Sequence, residues 1–268
     1  MTAGEGQVLL QVVAGVVLNE RGEYLLSSRP AGKAYAGYWE FAGGKVEPGE
    51  SELEALKREF EEELGIHIHH ARPWLTKVYA YEHAHVHLRF FRVEADEWSG
   101  TLQAKEGQGW SWQRPGDFNV SPMLPANGPI LAALAVPTAL SGDVETGFVG
   151  CNVLGEYRVV PFAQAEEMHR NVLLSEAQLQ QYGRLPEAAS VWVVIDRPER
   201  FDWVQDADVV VMLVCNEQDA DWVCRRLQDG VSQPLVVCGL PEWVAAYGAR
   251  WLSAGAHAVL EHSPVALA

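Results

Sequence analysis

Apolar positions follow two different rhythms along this chain, and the changes of rhythm mark its elements. From Val8 to Leu18 the run is interrupted only by Gln11 and Gly15, and Glu23 to Ser28 follows after the turn residues Asn19 to Gly22. Short apolar runs bounded by turn formers predict buried strands. A Gly-bearing loop leads to Tyr38 and Trp39. The period then lengthens: Leu53, Leu56, Phe60 and Leu64 fall on one stripe at helical spacing. Ser51 and Glu54 have the form of a capping box after the Pro48-Gly49 turn, and Gly65 is the residue type that ends a helix. Strand-like rhythm returns from Trp74 to His83, from His85 to Val93 and, briefly, from Trp110 to Gln113. Leu131 to Ala135, opened by Pro129, reads as a closing helix.

The second half has its own organisation. Pro137 to Asp143 has linker-like composition. Beyond it, the apolar runs Val191–Ile195, Asp208–Val214, Pro234–Leu240 and Ala258–Glu261 alternate with helical patterns at Glu217–Gln228 and Glu242–Ser253. Such alternation predicts parallel βα units. The expected layout is a first domain over residues 1–136, a linker over 137–145 and a smaller α/β domain over 146–268.

Composition narrows the field. A chain of 268 residues that is 48% hydrophobic is long enough for two ordinary domains. Its formal net charge of -16 argues against direct binding of nucleic acid, which needs clustered Lys and Arg. A small anionic substrate held through metal ions is compatible with it. Met1 to Gln7 lacks the basic residues of a secretory signal, and the apolar run to Leu18 is too short to span a bilayer. Cys151, Cys215, Cys224 and Cys238 form no CxxC pair and no zinc-like spacing with His. A cytoplasmic protein with reduced thiols and no membrane association is expected.

Chemistry concentrates on the predicted helix. Glu59, Glu62 and Glu63 stand at i, i+3 and i+4, so three carboxylates share one side about a turn apart. Their mutual repulsion calls for a cation, and Mg²⁺ or Mn²⁺ suits a cluster of oxygen ligands. Arg58 can pair with Glu62 at i+4. By composition alone, a solvated acidic helix face is the competing reading. His67, His69 and His70 follow this helix, while His83, His85 and His87 alternate on one strand face. With no carboxylate or Cys at a telling distance, that second row reads as a polar strand face.

Residues 44–66 read Gly, five residues, Glu50, seven residues, Arg58-Glu59, an apolar residue, any residue, Glu62-Glu63, any residue, Gly65 and an apolar residue. This pattern resembles the Nudix box, whose family hydrolyses nucleoside diphosphates linked to another group. The resemblance implies an α+β Nudix fold, a mixed sheet between helices. Over residues 8–135 the flanks are similar to MutT-like 8-oxo-dGTP diphosphatases, in Leu25-Leu26-Ser27-Ser28-Arg29, in Trp39 to Lys45 (with Ala42 in place of the usual proline), in Lys105-Glu106-Gly107-Gln108 and in Leu124 to Ile130.

That resemblance implies metal ligands at Glu59, Glu62, Glu63, Glu106 and the Gly43 carbonyl. It implies a catalytic set of Glu59, Glu106 and Arg58, with the general base left open between Glu59 and Glu106. Attack at the β-phosphorus would give a nucleoside monophosphate and pyrophosphate. Arg29 and Lys45 would contact phosphates, Phe41 would pack beside the base, and Asn127 would read the oxidised guanine through an amide that both donates and accepts. From the residues alone, Arg29 reads equally as a surface residue, Phe41 as a core aromatic and Asn127 as a turn residue or helix cap.

Residues 235–260 are weakly similar to the late strands of thiamine phosphate synthase. Roughly 200 residues or more are needed for a closed barrel, so the second half is expected to be a degenerate half barrel with a structural or partner-binding role. A protein partner or dimer through it is part of that expectation, with Trp192, Trp203, Trp222, Trp243 and Trp251 as packing or interface residues. The function expected overall is nucleotide-pool sanitation by hydrolysis of 8-oxo-dGTP. The alternatives are another substrate, such as a cytidine nucleotide or a thiamine-related diphosphate, and a non-catalytic nucleotide sensor.

Overall fold

The computed structural model describes residues 9–81, 84–167 and 170–262. The chain divides into two compact units, Met1–Leu131 and Ala132–Ala268. No helix among the described residues is long and apolar enough to cross a membrane. His83 and the leading residue of the Val8–Leu18 run lie outside the described residues.

In the first unit, β1 (Leu9–Val17), β2 (Tyr24–Ser28), β3 (Trp39–Glu40) and β4 (Gly43–Lys45) precede α1 (Glu52–Leu64). Then come β5 (Ile66–Ile68), β6 (Arg72–Ala80), β7 (His85–Val93), β8 (Trp98–Gly100) and β9 (Trp110–Gln113), while α2 (Gly128–Leu134) runs across the division at Leu131. The main sheet runs β4-β1-β7-β6 and is mixed: β1 lies parallel to β7, while β4 and β6 lie antiparallel to their neighbours. An antiparallel β3-β2-β9 sheet and a β5-β8 pair complete it. The helix predicted near Leu131 starts three residues earlier, at Gly128, directly after the short 3₁₀ turn Pro125–Asn127.

Strand periodicity gives the central sheet two functions. Val13, Val17, Phe91 and Val93 are buried against Leu56, Phe60 and Leu64 of α1. Each fully buried side chain of this size contributes roughly 1.5–3 kcal/mol. The helix lies so close that a Cβ on Gly15 would stand 2.6 Å from the Phe60 ring. The alternate residues Leu10, Val12 and Ala14 of β1 and Val86, Leu88 and Phe90 of β7 line a cavity instead. His85 and His87 take the alternate positions on β7, off the set that lines it. Among the described residues no cluster of three or more His, Cys, Asp and Glu is arranged to hold a metal.

The second unit contains β10 (Leu140–Asp143), β11 (Gly147–Asn152), β12 (Gly155–Pro161), β13 (Asn171–Ser175), α3 (Glu176–Tyr182), β14 (Ser190–Ile195) and β15 (Val209–Val214). They are followed by α4 (Glu217–Asp229), β16 (Leu235–Gly239), α5 (Pro241–Ala254) and β17 (Ala258–Glu261). The strands form one sheet in sequential order. β10 to β12 pair antiparallel, and each pair from β12 to β17 is parallel. Residues 140–143, within the stretch of linker-like composition, are thus strand rather than open linker. As an edge strand β10 pairs on one side only, which tolerates its glycine and polar residues. Trp192 and Trp251 are wholly buried, whereas Trp203 is exposed with Arg200 stacked over its ring. All four cysteines are free thiols.

Candidate active site

The carboxylate helix begins and ends as its local chemistry dictates. The Ser51 hydroxyl accepts a hydrogen bond from the Glu54 backbone N–H and the Glu54 carboxylate accepts one from the Ser51 backbone N–H, closing the capping box. Gly65 ends the helix in the left-handed region at φ 67°. Glu61, Glu62 and Glu63 therefore fall in the last turn, which holds no basic residue. Negative charge there opposes the helix dipole. A local rule broken at this cost points to a functional demand, namely for a cation beside the helix end.

Two side-chain cations divide the carboxylates. Arg58 donates to Glu50 at 2.9 and 3.0 Å, to Glu59 at 2.8 Å and to Glu62 at 3.2 Å, with a further bond to the Lys45 carbonyl. The Arg58 bond holds the Glu50 carboxyl below the usual range. Lys33 takes the other pair, with its Nζ 2.5 Å from Glu106 and 3.7 Å from Glu63. Glu106 stands next to α1 because the buried Gln108 donates to the Glu63 carbonyl and accepts from the Glu106 N–H. Lys105 reinforces that junction through bonds to the carbonyls of Glu63 and Glu61 at the helix end.

Glycine is required at both positions opposite the helix. A Cβ on Gly44 would lie 2.1 Å from the Glu59 carboxylate, and one on Gly43, at φ 152°, would lie 2.1 Å from the Val13 carbonyl oxygen. The Glu59 carboxylate thus occupies the space a side chain would fill. Gly43, Gly44, Lys45, Glu59, Glu63 and Glu106 all line one cavity of about 590 Å³. Its remaining wall carries Arg29, Glu40, Phe41, Tyr35, Tyr81 and Asn127.

The donor set is all oxygen, lies at the negative end of a helix and carries excess negative charge, which matches the chemistry of a hard divalent ion. As placed, no three of these carboxylates converge closely enough to hold one among the described residues, because Arg58 and Lys33 draw them into two groups. Glu62 is 61% exposed and Glu106 41%, which leaves both side chains free space in which to turn. Glu63 is pushed up to about 7, first by burial and, against the lowering influence of Lys33, by the charges of Glu59 and Glu106. Ligation needs the ionised form, so ion affinity is expected to fall as pH drops through about 7 and loading is expected to release a proton. Manganese titration calorimetry in two buffers of different ionisation enthalpy, at about pH 6 and about pH 8, checks this; equal affinity and no proton release would refute it.

The base-reading candidates Phe41 and Asn127 line the same cavity. Phe41 is buried, edge-on to Phe90 at 5.9 Å. Asn127 is 3% exposed and donates to the Trp39 carbonyl at 3.5 Å. The segment that carries it is tied to β3, since Trp39 N–H donates to Pro122 and Leu124 N–H donates to Trp39. Arg29 is bound to Glu40 through two bonds of 2.8 and 2.7 Å and to the Ala34 carbonyl, so its guanidinium fixes the 30–38 loop from the cavity wall. Burial raises the Glu40 carboxyl and Arg29 opposes the shift. Lys33 escapes a reading of sequence motifs, as do the pairing of Glu40 with Arg29 and the bracing role of Gln108. Lys33 belongs to no charge pattern of its own, whereas Glu40 stands in the Trp39 to Lys45 segment and Gln108 in the Lys-Glu-Gly-Gln segment.

Comparison with protein families matches residues 8–134 to the family described as NUDIX domain. The chain is 40% identical over 143 residues to the CTP pyrophosphohydrolase of Escherichia coli strain K12, spanning 50% of this chain and 98% of that protein. It is 36% identical over 125 residues to the 8-oxo-dGTP diphosphatase of the same strain, spanning 47% and 95%. Among solved structures, a MutT chain from work on Aliivibrio salmonicida and Vibrio cholerae aligns at 30% identity and a TM-score of 0.39, covering 47% of this chain and 97% of that one.

Proposed function

The chain belongs to the Nudix hydrolases through its first half, and from that premise we propose that it hydrolyses 8-oxo-dGTP to 8-oxo-dGMP and pyrophosphate. Hydrolases of this family generally use divalent ions such as Mg²⁺. One observation carries the substrate assignment: Asn127 is buried and lines the same cavity as Glu59 and Glu63 of α1. Oxidised guanine presents a carbonyl beside an N–H on its N7 edge, where guanine itself presents two acceptors. An amide supplies a donor and an acceptor side by side, so a fixed amide favours the oxidised base. Phe41 gives the base an apolar face to pack on.

Glu59, Glu62, Glu63, Glu106 and the Gly43 carbonyl are the groups that would hold the ions. Bound there, a divalent ion polarises phosphoryl oxygens and acidifies water beside it. Arg58 orients Glu59 and Glu62, Gly44 leaves the Glu59 carboxylate room, and Glu59 or Glu106 accepts the proton of the attacking water. Lys45, exposed and among the residues lining the cavity, would meet the phosphates.

A cytidine nucleotide is the second reading, favoured by the 40% identity to the CTP pyrophosphohydrolase. Turnover of 8-oxo-dGTP, dGTP, CTP and thiamine diphosphate side by side separates these readings. The expected order places 8-oxo-dGTP first by kcat/KM; CTP first would replace it. For residues 146–268, the sequential parallel order of β12 to β17 supports a truncated, barrel-like domain with a structural or partner-binding role, in line with the weak similarity to thiamine phosphate synthase.

A further inference from the structure

Lys33 touches the ion-binding carboxylates without belonging to the Nudix pattern, and its surroundings give it a second task. Its ammonium bridges Glu106 at 2.5 Å and Glu63 at 3.7 Å. Among the described residues no other ion pair reaches these two carboxylates, and Arg58 is committed to Glu50, Glu59 and Glu62. The loop that carries Lys33 is built rather than loose. Arg29 and Tyr38 close its ends, Gly37 N–H donates to Arg29, Arg29 Nε donates to the Ala34 carbonyl, and Lys33 N–H donates to Pro30. Two residues beyond Lys33, Tyr35 is the one non-glycine among the described residues with positive φ, at 58°. Such a conformation persists only where the surroundings enforce it. The fold therefore holds the root of Lys33 at the cavity wall, where the side chain lines the same space as Gly43, Gly44 and Lys45.

We propose that Lys33 is a counter-charge for Glu63 and Glu106 that passes to the substrate's phosphate tail when divalent ions bind, and so selects for a polyphosphate. This rests on the hydrolase reading above. The ion pair is nearly half exposed, so it is weak enough for a divalent ion to displace. Once an ion holds both carboxylates, the ammonium faces like charge and loses its partners. The incoming anion within reach of its four-carbon stem is the polyphosphate. Two effects of opposite sign follow: Lys33 hinders ions that arrive alone and helps a triphosphate that arrives with them. Binding of the two is then positively coupled.

Lys33→Met keeps the stem and removes the charge. Calorimetry would measure Mn²⁺ alone, then an α,β-methylene analogue of dGTP and dGMP, each at saturating Mn²⁺. The variant is expected to bind Mn²⁺ several-fold more tightly and the triphosphate analogue about tenfold more weakly, with dGMP unchanged. Lys33→Arg is expected to restore wild-type values for both, which loss of folding would not allow. Unchanged or weaker Mn²⁺ affinity in Lys33→Met, or unchanged affinity for the triphosphate analogue, overturns the proposal. A wild-type protein that bound neither Mn²⁺ nor the analogue would overturn the hydrolase reading itself, and this proposal with it.

Discussion

Glu62→Gln is expected to abolish hydrolysis of every nucleotide while leaving the fold intact. The substitution keeps size and shape and removes one negative charge. Polarisation of a phosphoryl group by an ion is worth several kcal/mol, so loss of one ligand is expected to lower kcat by roughly 10³-fold. Stability should hardly move, because Glu62 is 61% exposed and its bond to Arg58 is a surface one; exposed pairs contribute about 0–1 kcal/mol. Steady-state turnover with a thermal melt of the same preparation separates the two effects. A variant that melts as wild type and still turns over at a comparable rate would remove Glu62 from the chemistry. A solvated acidic helix face, the plainest reading of Glu61-Glu62-Glu63, calls for that second result.

Asn127→Ala is expected to act on a different quantity. Its amide is buried and donates one hydrogen to the Trp39 carbonyl; under the proposed reading its second hydrogen and its oxygen would meet a base edge. Deleting it leaves the oxidised base with unmatched polar groups, which costs about 1–3 kcal/mol each. The preference for 8-oxo-dGTP over dGTP should therefore fall by roughly 10- to 100-fold, mostly through kcat/KM for the oxidised nucleotide. The phosphates and their ligands are untouched, so turnover of dGTP should persist. Unaltered selectivity would end the MutT-like assignment and leave the broader hydrolase standing.

What could be read from the residues was local. The stripe Leu53, Leu56, Phe60 and Leu64, the Ser51–Glu54 box and the Gly65 stop define α1 within a few turns of chain, and all of them appear in the structure. Asp208–Val214 and Pro234–Leu240 were legible for the same reason, as continuous apolar runs that became the fully buried β15 and β16. Elements whose identity depends on a distant partner were not. β5 pairs with β8 over three residues, β4 exists because Val12 to Ala14 accept it, and β10 is a polar edge strand.

The same holds for the site. The carboxylates on α1 share one helix face and are readable from their spacing. Lys33 meets Glu106 across 73 positions of sequence, and the amide of Asn127 meets Trp39 across 88. No spacing rule spans such distances. Motif resemblance singled out Asn127, and only the fold singled out Lys33.

On the proposed reading, acidic side chains of α1 gather divalent ions against a nucleotide's phosphates. A crystal soaked with Mn²⁺ and the α,β-methylene analogue of dGTP, phased to show manganese by its anomalous signal, tests it directly. The expected map has manganese peaks bounded by Glu59, Glu62 and Glu63, with phosphate oxygens completing the shell. A map with the analogue bound and no manganese beside those three residues would contradict it.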